Sequence, residues 1–199
     1  MNIEDVKENP GRVENHLKHI FDKQEELMEK YQEIEGLPEW PVSIDLAENQ
    51  VVIKDFKQRG MEEIAEAIEA FRNEEELHFK EELIDALHFF VELNILVGKK
   101  YNYFDKGYDI KGYGITLDEL YSIYGRLGEK YGLLCNTLKN KPWKNTQMRT
   151  DKTLFNKLLK EAFEYFIYML NRCGMDMEEI YNIYFKKHKV NQFRIRSNY

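Results

Sequence analysis

The chain has little of what marks a secreted, membrane-spanning or thiolate-metal protein. Only Cys135 and Cys173 are cysteines among its 199 residues, and they form no C-x-x-C pair. That excludes a disulfide-stapled scaffold and a zinc-thiolate cluster, and two free, partly buried thiols in a reducing cytosol are expected. No run approaches the roughly 18 apolar residues that a membrane span needs. The opening MNIEDVKENPGRVENHL is polar and acidic, unlike the apolar segment of a secretory signal, so a cytoplasmic protein is expected. There is no glycine-rich phosphate loop, no Ser/His/Asp series and no cysteine placed as a nucleophile. Proline occurs four times, and no segment alternates apolar and polar residues as a half-buried strand does.

A composition of 43% hydrophobic and 33% charged residues fits one folded domain over residues 1–199. The net charge of −7 argues against broad nucleic-acid binding, but it is unevenly spread. Nine glutamates lie between Glu62 and Glu82, whereas five Lys/Arg and no acid lie between Lys186 and Arg196. An acidic centre and a basic tail are the two halves that a polyphosphate site would need.

Helical periodicity dominates. Val13, Leu17, Ile20, Gln24, Leu27, Tyr31 and Ile34 keep three- and four-residue spacing, and Gly36-Leu37-Pro38 predicts the end of that helix. Ile53, Phe56, Gly60, Ile64, Ile68 and Phe71 mark a second helix. Gly60 falls on its apolar side, where the missing Cβ lets another helix come close at some cost in propensity. Residues 72–79 read as a polar connection into a third helix over 80–97. Residues 99–114, rich in Tyr and Gly, read as a long loop that would serve a protein-binding module as an aromatic surface. Thr116 and Glu119 predict a capping box, residues 139–153 a second connection, and 154–171 and 176–189 two further helices. The fold class is all-α, a helical bundle. The segments 88–98 and 164–174 also superpose without a gap, each a bulky apolar helix ending at glycine. In that register Glu82 meets Leu158 and Asp85 meets Glu161.

The chemistry concentrates in Glu63-x-x-Glu66 and Glu82-x-x-Asp85. Eleven of the fifteen residues from Leu83 to Val97 are apolar and occupy every side of a helical wheel, so that helix is buried. Carboxylates at its start are expected to be paired, protonated or metal-bound. Two acidic pairs facing one another suit a hard cation, Mg²⁺, with coordination positions left for water and phosphate oxygens. Glu75-x-x-His78 and Asp85-x-x-His88 imitate the spacing of di-iron bundles, but Glu75 and His78 fall in an expected connection and His88 reads as a core histidine. In the tail, Lys187, Asn191 and Arg194 share one helical face, a pattern suited to triphosphate oxygens. Trp143-Lys144 offers a stacking aromatic beside a cation.

Glu62-Glu63-x-x-Glu66, followed after sixteen residues by Glu82-x-x-Asp85, resembles the signature of the all-α nucleoside triphosphate pyrophosphatases, the MazG-like superfamily. The run from Glu81 to Asn94 looks like the dimeric dUTPase branch, and Lys187, Asn191, Arg194 and Tyr199 match that branch's tail pattern. The resemblance implies hydrolysis of a deoxynucleoside triphosphate to the monophosphate and pyrophosphate by a homodimer. Glu63, Glu66, Glu82 and Asp85 would hold Mg²⁺, with Glu63 as base beside Glu66. Lys187, Arg194 and Tyr199 would bind phosphates, Asn191 would orient them, and Gln24 would face the base. Three departures stand out. Ile195 and Asn198 replace a Gln and a Gly of the tail. The Trp-Lys expected after the first acidic pair is absent, with Trp143-Lys144 as its possible substitute. The base-reading Q-x-x-L-N is kept only as Gln24-Glu25-Glu26-Leu27-Met28. The alternatives are a pyrophosphatase for dCTP or a modified pyrimidine nucleotide, and a non-catalytic protein-binding bundle.

Overall fold

A computed structural model describes residues 14–104, 112 and 114–196, excepting the side chains of 14, 15, 31, 33, 35 and 194–196. Its helices are α1 (Glu14–Glu35), α2 (Ala47–Arg72), α3 (Glu76–Leu96), α4 (Leu117–Thr137), α5 (Lys152–Arg172) and α6 (Met177–Arg196), with a 3₁₀ turn at Tyr101–Tyr103. No strand occurs among the described residues, so the all-α expectation holds.

Local chemistry explains where the helices begin and end. The Thr116 hydroxyl accepts from Glu119 N while Glu119 Oε2 accepts from Thr116 N, the reciprocal box that opens α4. Asp151 caps α5 through Leu154 N, and Asp176 caps α6 through Glu179 N. Helix α1 stops at Gly36, whose φ of +66° is left-handed.

The decisive element for the site is the turn at residues 73–75. Three residues, with Glu74 in the left-handed region at φ +61°, reverse the chain. Helix α3 therefore folds back along α2, and the second half of α2 meets the first half of α3. The pairing is tight because Gly60 has no side chain. A Cβ there would lie 2.6 Å from the Phe90 ring, so the close approach read from sequence is realised. On α3, Leu83, Ile84, Leu87, Phe90, Val91 and Leu93 are wholly buried, each contributing about 1.5–3 kcal/mol by leaving water. That apolar packing supports the desolvation of the carboxylates beside it.

Several boundaries differ from the sequence reading. Helix α3 begins at Glu76, so His78 is helical and not part of a connection. Its first turn is solvated, with Glu76, Leu77 and His78 exposed, and shows no apolar period. Helix α6 runs on to Arg196 although Val190 and Phe193 are exposed. Ile34 continues the α1 period but is exposed, because the pattern outlasts the packed surface. Of the Tyr/Gly-rich segment, Tyr101, Tyr103 and Phe104 pack on the core rather than forming an aromatic surface. Tyr108 and Tyr113 lie outside the described residues.

Candidate active site

The hairpin brings Glu63 and Glu66 of α2 against Glu82 of α3, with one carboxylate oxygen from each within 4.8 Å of the others. Their burial is graded: Glu66 is exposed, Glu63 half-buried and Glu82 buried. Glu62 stands outside the cluster, exposed and hydrogen-bonded to Gln58 at 2.9 Å. His78, one turn before Glu82, places Nδ1 3.1 Å from Glu82 Oε1. Asp85 sits beside the cluster and forms a 2.5 Å ion pair with Lys187 of α6.

Burial, a hydrogen bond to Glu82, and the charges of Asp85, Glu66 and Glu82 push the Glu63 carboxyl up to about 8. At neutral pH the cluster therefore holds a proton among its carboxylates. Lys187 responds in the opposite sense. Burial alone would lower it, but the hydrogen bond to Asp85 and the fields of Asp85, Glu82 and Glu81 raise it. An all-oxygen donor set whose mutual repulsion retains a proton fits a hard divalent cation, which would replace that proton and reverse the local balance. His78 touches the set at Glu82 and His88 faces Gln24, and the metal-binding group among the described residues consists of carboxylates.

The other expected site residues fall in different places. Asn191 is half-buried on α6, one turn beyond Lys187. Arg194 is a helical position of α6 whose side chain lies outside the described residues, as does the whole of Tyr199. Gln24 is 0% exposed and already engaged. Its Nε2 donates to Glu92 Oε1 at 2.6 Å, and its Oε1 accepts from Tyr184 OH at 2.7 Å and from His88 Nδ1 at 2.6 Å. Trp143 is 75% exposed, on a connection pinned to the far end of α2 by the bond from Asn140 N to Gln50 Oε1. Thirteen helical residues, about 20 Å, separate Gln50 from Glu63, so the anchor of the connection that carries Trp143 and Lys144 lies far along α2 from the acidic cluster. A cavity of about 860 Å³ lies instead between the α2–α3 turn and the Gly112–Leu117 segment, and no carboxylate of the cluster lines it.

A family model described as dUTPase matches residues 16–199. The chain belongs to the dUTPase family, in its dimeric, all-helical branch. It is accordingly a dUTP diphosphatase-like nucleotide hydrolase, and members of this family generally use Mg²⁺. No curated protein and no solved structure matches the chain. The match covers both the acidic hairpin and α6, the elements that Asp85 and Lys187 join. No helix among the described residues is long and apolar enough to cross a membrane. Sequence reasoning missed Glu92 and Tyr184, whose partner Gln24 is brought to them from α1 by the fold, and it set His78 in a connection although its partner Glu82 lies four residues on in the same helix.

Proposed function

We propose that this dUTPase-family chain hydrolyses a pyrimidine deoxynucleoside triphosphate, dUTP foremost, to the monophosphate and pyrophosphate in a Mg²⁺-dependent reaction. The observation that supports it most is the convergence of Glu63, Glu66 and Glu82 beside an Asp85–Lys187 pair. In this reading Glu63, Glu66, Glu82 and Asp85 hold Mg²⁺, which when bound screens the triphosphate charge and polarises its oxygens. Glu63 takes the proton of a water whose oxygen bonds to the α-phosphorus. The bond from that phosphorus to the oxygen bridging to the β-phosphate breaks, and pyrophosphate leaves. Glu66 orients that water. Lys187 and Arg194 neutralise charge on the phosphates, Tyr199 donates a hydrogen bond to them, Asn191 orients them and Gln24 lies toward the base. The protein acts on free nucleotides as a cytoplasmic homodimer, and residues 1–199 form one catalytic domain.

A second substrate reading, dCTP or a modified pyrimidine nucleotide, draws on Met28. This wholly buried residue stands where the family's base-reading motif has asparagine, and a thioether cannot supply an amide's paired donor and acceptor. The test is pyrophosphate release from each deoxynucleoside triphosphate with and without Mg²⁺. The expected result is Mg²⁺-dependent release that is fastest with dUTP. Release without Mg²⁺, or from no nucleotide, contradicts the proposal.

A further inference from the structure

Behind the Asp85–Lys187 pair lies a buried polar group of which the reading above uses only Gln24, toward the base. His88 follows Asp85 by three residues on α3, and Tyr184 precedes Lys187 by three on α6, so each shares a helix face with its charged neighbour. The two rings stack with centroids 4.4 Å apart and planes 22° apart. Both converge on one atom of α1, Gln24 Oε1, while Gln24 Nε2 donates to Glu92 of α3. Three helices are thereby tied through one amide.

In this orientation the Gln24 amide turns its NH₂ to the Glu92 carboxylate. The amide oxygen can only accept, so His88, 2.6 Å away, carries its proton on Nδ1, and the Tyr184 hydroxyl is shared between that oxygen at 2.7 Å and Ile20 O at 3.2 Å. His88 Nε2, buried without a hydrogen-bond partner, is the lone-pair nitrogen of that tautomer. Burial, with the nearby His188 and Lys187, holds His88 down at about 3, which keeps it neutral. Apolar side chains would fill the same space without desolvating four polar groups, whereas hydrogen bonds of fixed direction between three helices favour one arrangement of them. Lys187 needs such specification, because a lysine stem is flexible and its ammonium is a point charge.

We propose that Gln24, His88 and Tyr184 are positioning residues, a buried tie that sets Lys187 against the carboxylate cluster. The consequence for catalysis rests on the proposed role of Lys187 at the phosphates; the tie itself does not.

Two measurements separate these layers. In the first, Lys187 of the full-length, metal-free protein is acetylated and its labelling rate is followed by mass spectrometry. His88→Leu and Tyr184→Phe are expected to raise the rate about three- to tenfold, the scale of one neutral hydrogen bond. His88→Asn, whose amide nitrogen stands in for Nδ1, should stay close to the wild-type rate. An unchanged rate in both disruptive variants overturns the proposal. So does equal acceleration at Lys80, which would report general loosening. If His88→Leu fails to fold, Tyr184→Phe, which keeps the ring, decides alone. In the second, kcat/KM is measured in a double-mutant cycle of Tyr184→Phe with Lys187→Gln. The expected result is that Tyr184→Phe costs little once Lys187 is gone, whereas additive losses overturn its action through Lys187. A wild-type protein that turns over no nucleotide removes the second measurement together with the functional reading and leaves the first as the judge of the tie.

Discussion

Helices α3 and α5 end in the same way yet carry different chemistry. Each closes at a left-handed glycine, Gly98 at φ +75° and Gly174 at φ +86°. The backbone bonds correspond: Lys99 N to Asn94 O at 2.8 Å, and Met175 N to Leu170 O at 3.2 Å. The register that aligns these ends also aligns Phe90 with Phe166, and these two rings touch edge-to-face at 4.7 Å. At the two acidic positions the resemblance fails. Leu158 stands for Glu82. Glu161 stands for Asp85, with Lys130 and Lys157 each 3.8 Å away. Similar helical scaffolds thus treat charge in opposite ways. The α4–α5 pair neutralises Glu161 with lysines near the surface, while the α2–α3 pair crowds carboxylates together, one of them buried, and retains a proton among them.

Breaking the charge difference should give the largest effect. Glu66→Gln is expected to lower kcat/KM by on the order of 10²–10³-fold, the scale of removing one preorganised electrostatic group, with the circular-dichroism melt nearly unchanged. Glu161→Gln, which removes only partly exposed ion pairs, should stay within about 1 kcal/mol of wild type in stability and keep full turnover. Equal losses in the two variants would erase the distinction.

Packing separates the hairpins next. Gly60→Ala drives a methyl toward Phe90 and is expected to cost about 1–3 kcal/mol in a denaturant melt. Gly125→Ala on α4 points into open space and should gain about 0.5–1 kcal/mol from helix propensity. Of similar size, Thr116→Ala removes the α4 capping box for about 1 kcal/mol, with kcat unaltered.

The last effect depends on pH. Glu63 is raised in the folded protein from 4.5 to about 8, so between those values the native state binds more protons than the unfolded chain. Stability of the metal-free protein should therefore fall as pH rises from about 5 to 8. Solvent at this half-buried group makes the slope shallow. Thermal melts across that range check it, and Glu63→Gln should flatten the curve.

Much of this arrangement was legible before any coordinates. Gly60, the Thr116–Glu119 box and the two acidic pairs are local or periodic signals, and each spacing maps directly onto a helix face. The start of α3 was not legible, because Glu76, Leu77 and His78 form a solvated turn without an apolar beat. The tie at Gln24 was least legible of all, since its partners are 64, 68 and 160 residues away. No spacing rule predicts that a glutamine on an amphipathic stripe will bond to His88, Glu92 and Tyr184. The place of Trp143 was not legible for a related reason: the connection that carries it is anchored by the bond between Asn140 and Gln50, 90 residues apart.

The central claim, that the α2–α3 carboxylates and not their α5 counterpart hold a divalent cation, is tested most directly by Mn²⁺ binding followed by electron paramagnetic resonance. The account predicts saturable Mn²⁺ binding that Mg²⁺ displaces, that Glu82→Gln abolishes and that Glu161→Gln leaves intact. Mn²⁺ bound with wild-type affinity by Glu82→Gln, or lost on Glu161→Gln, would contradict it.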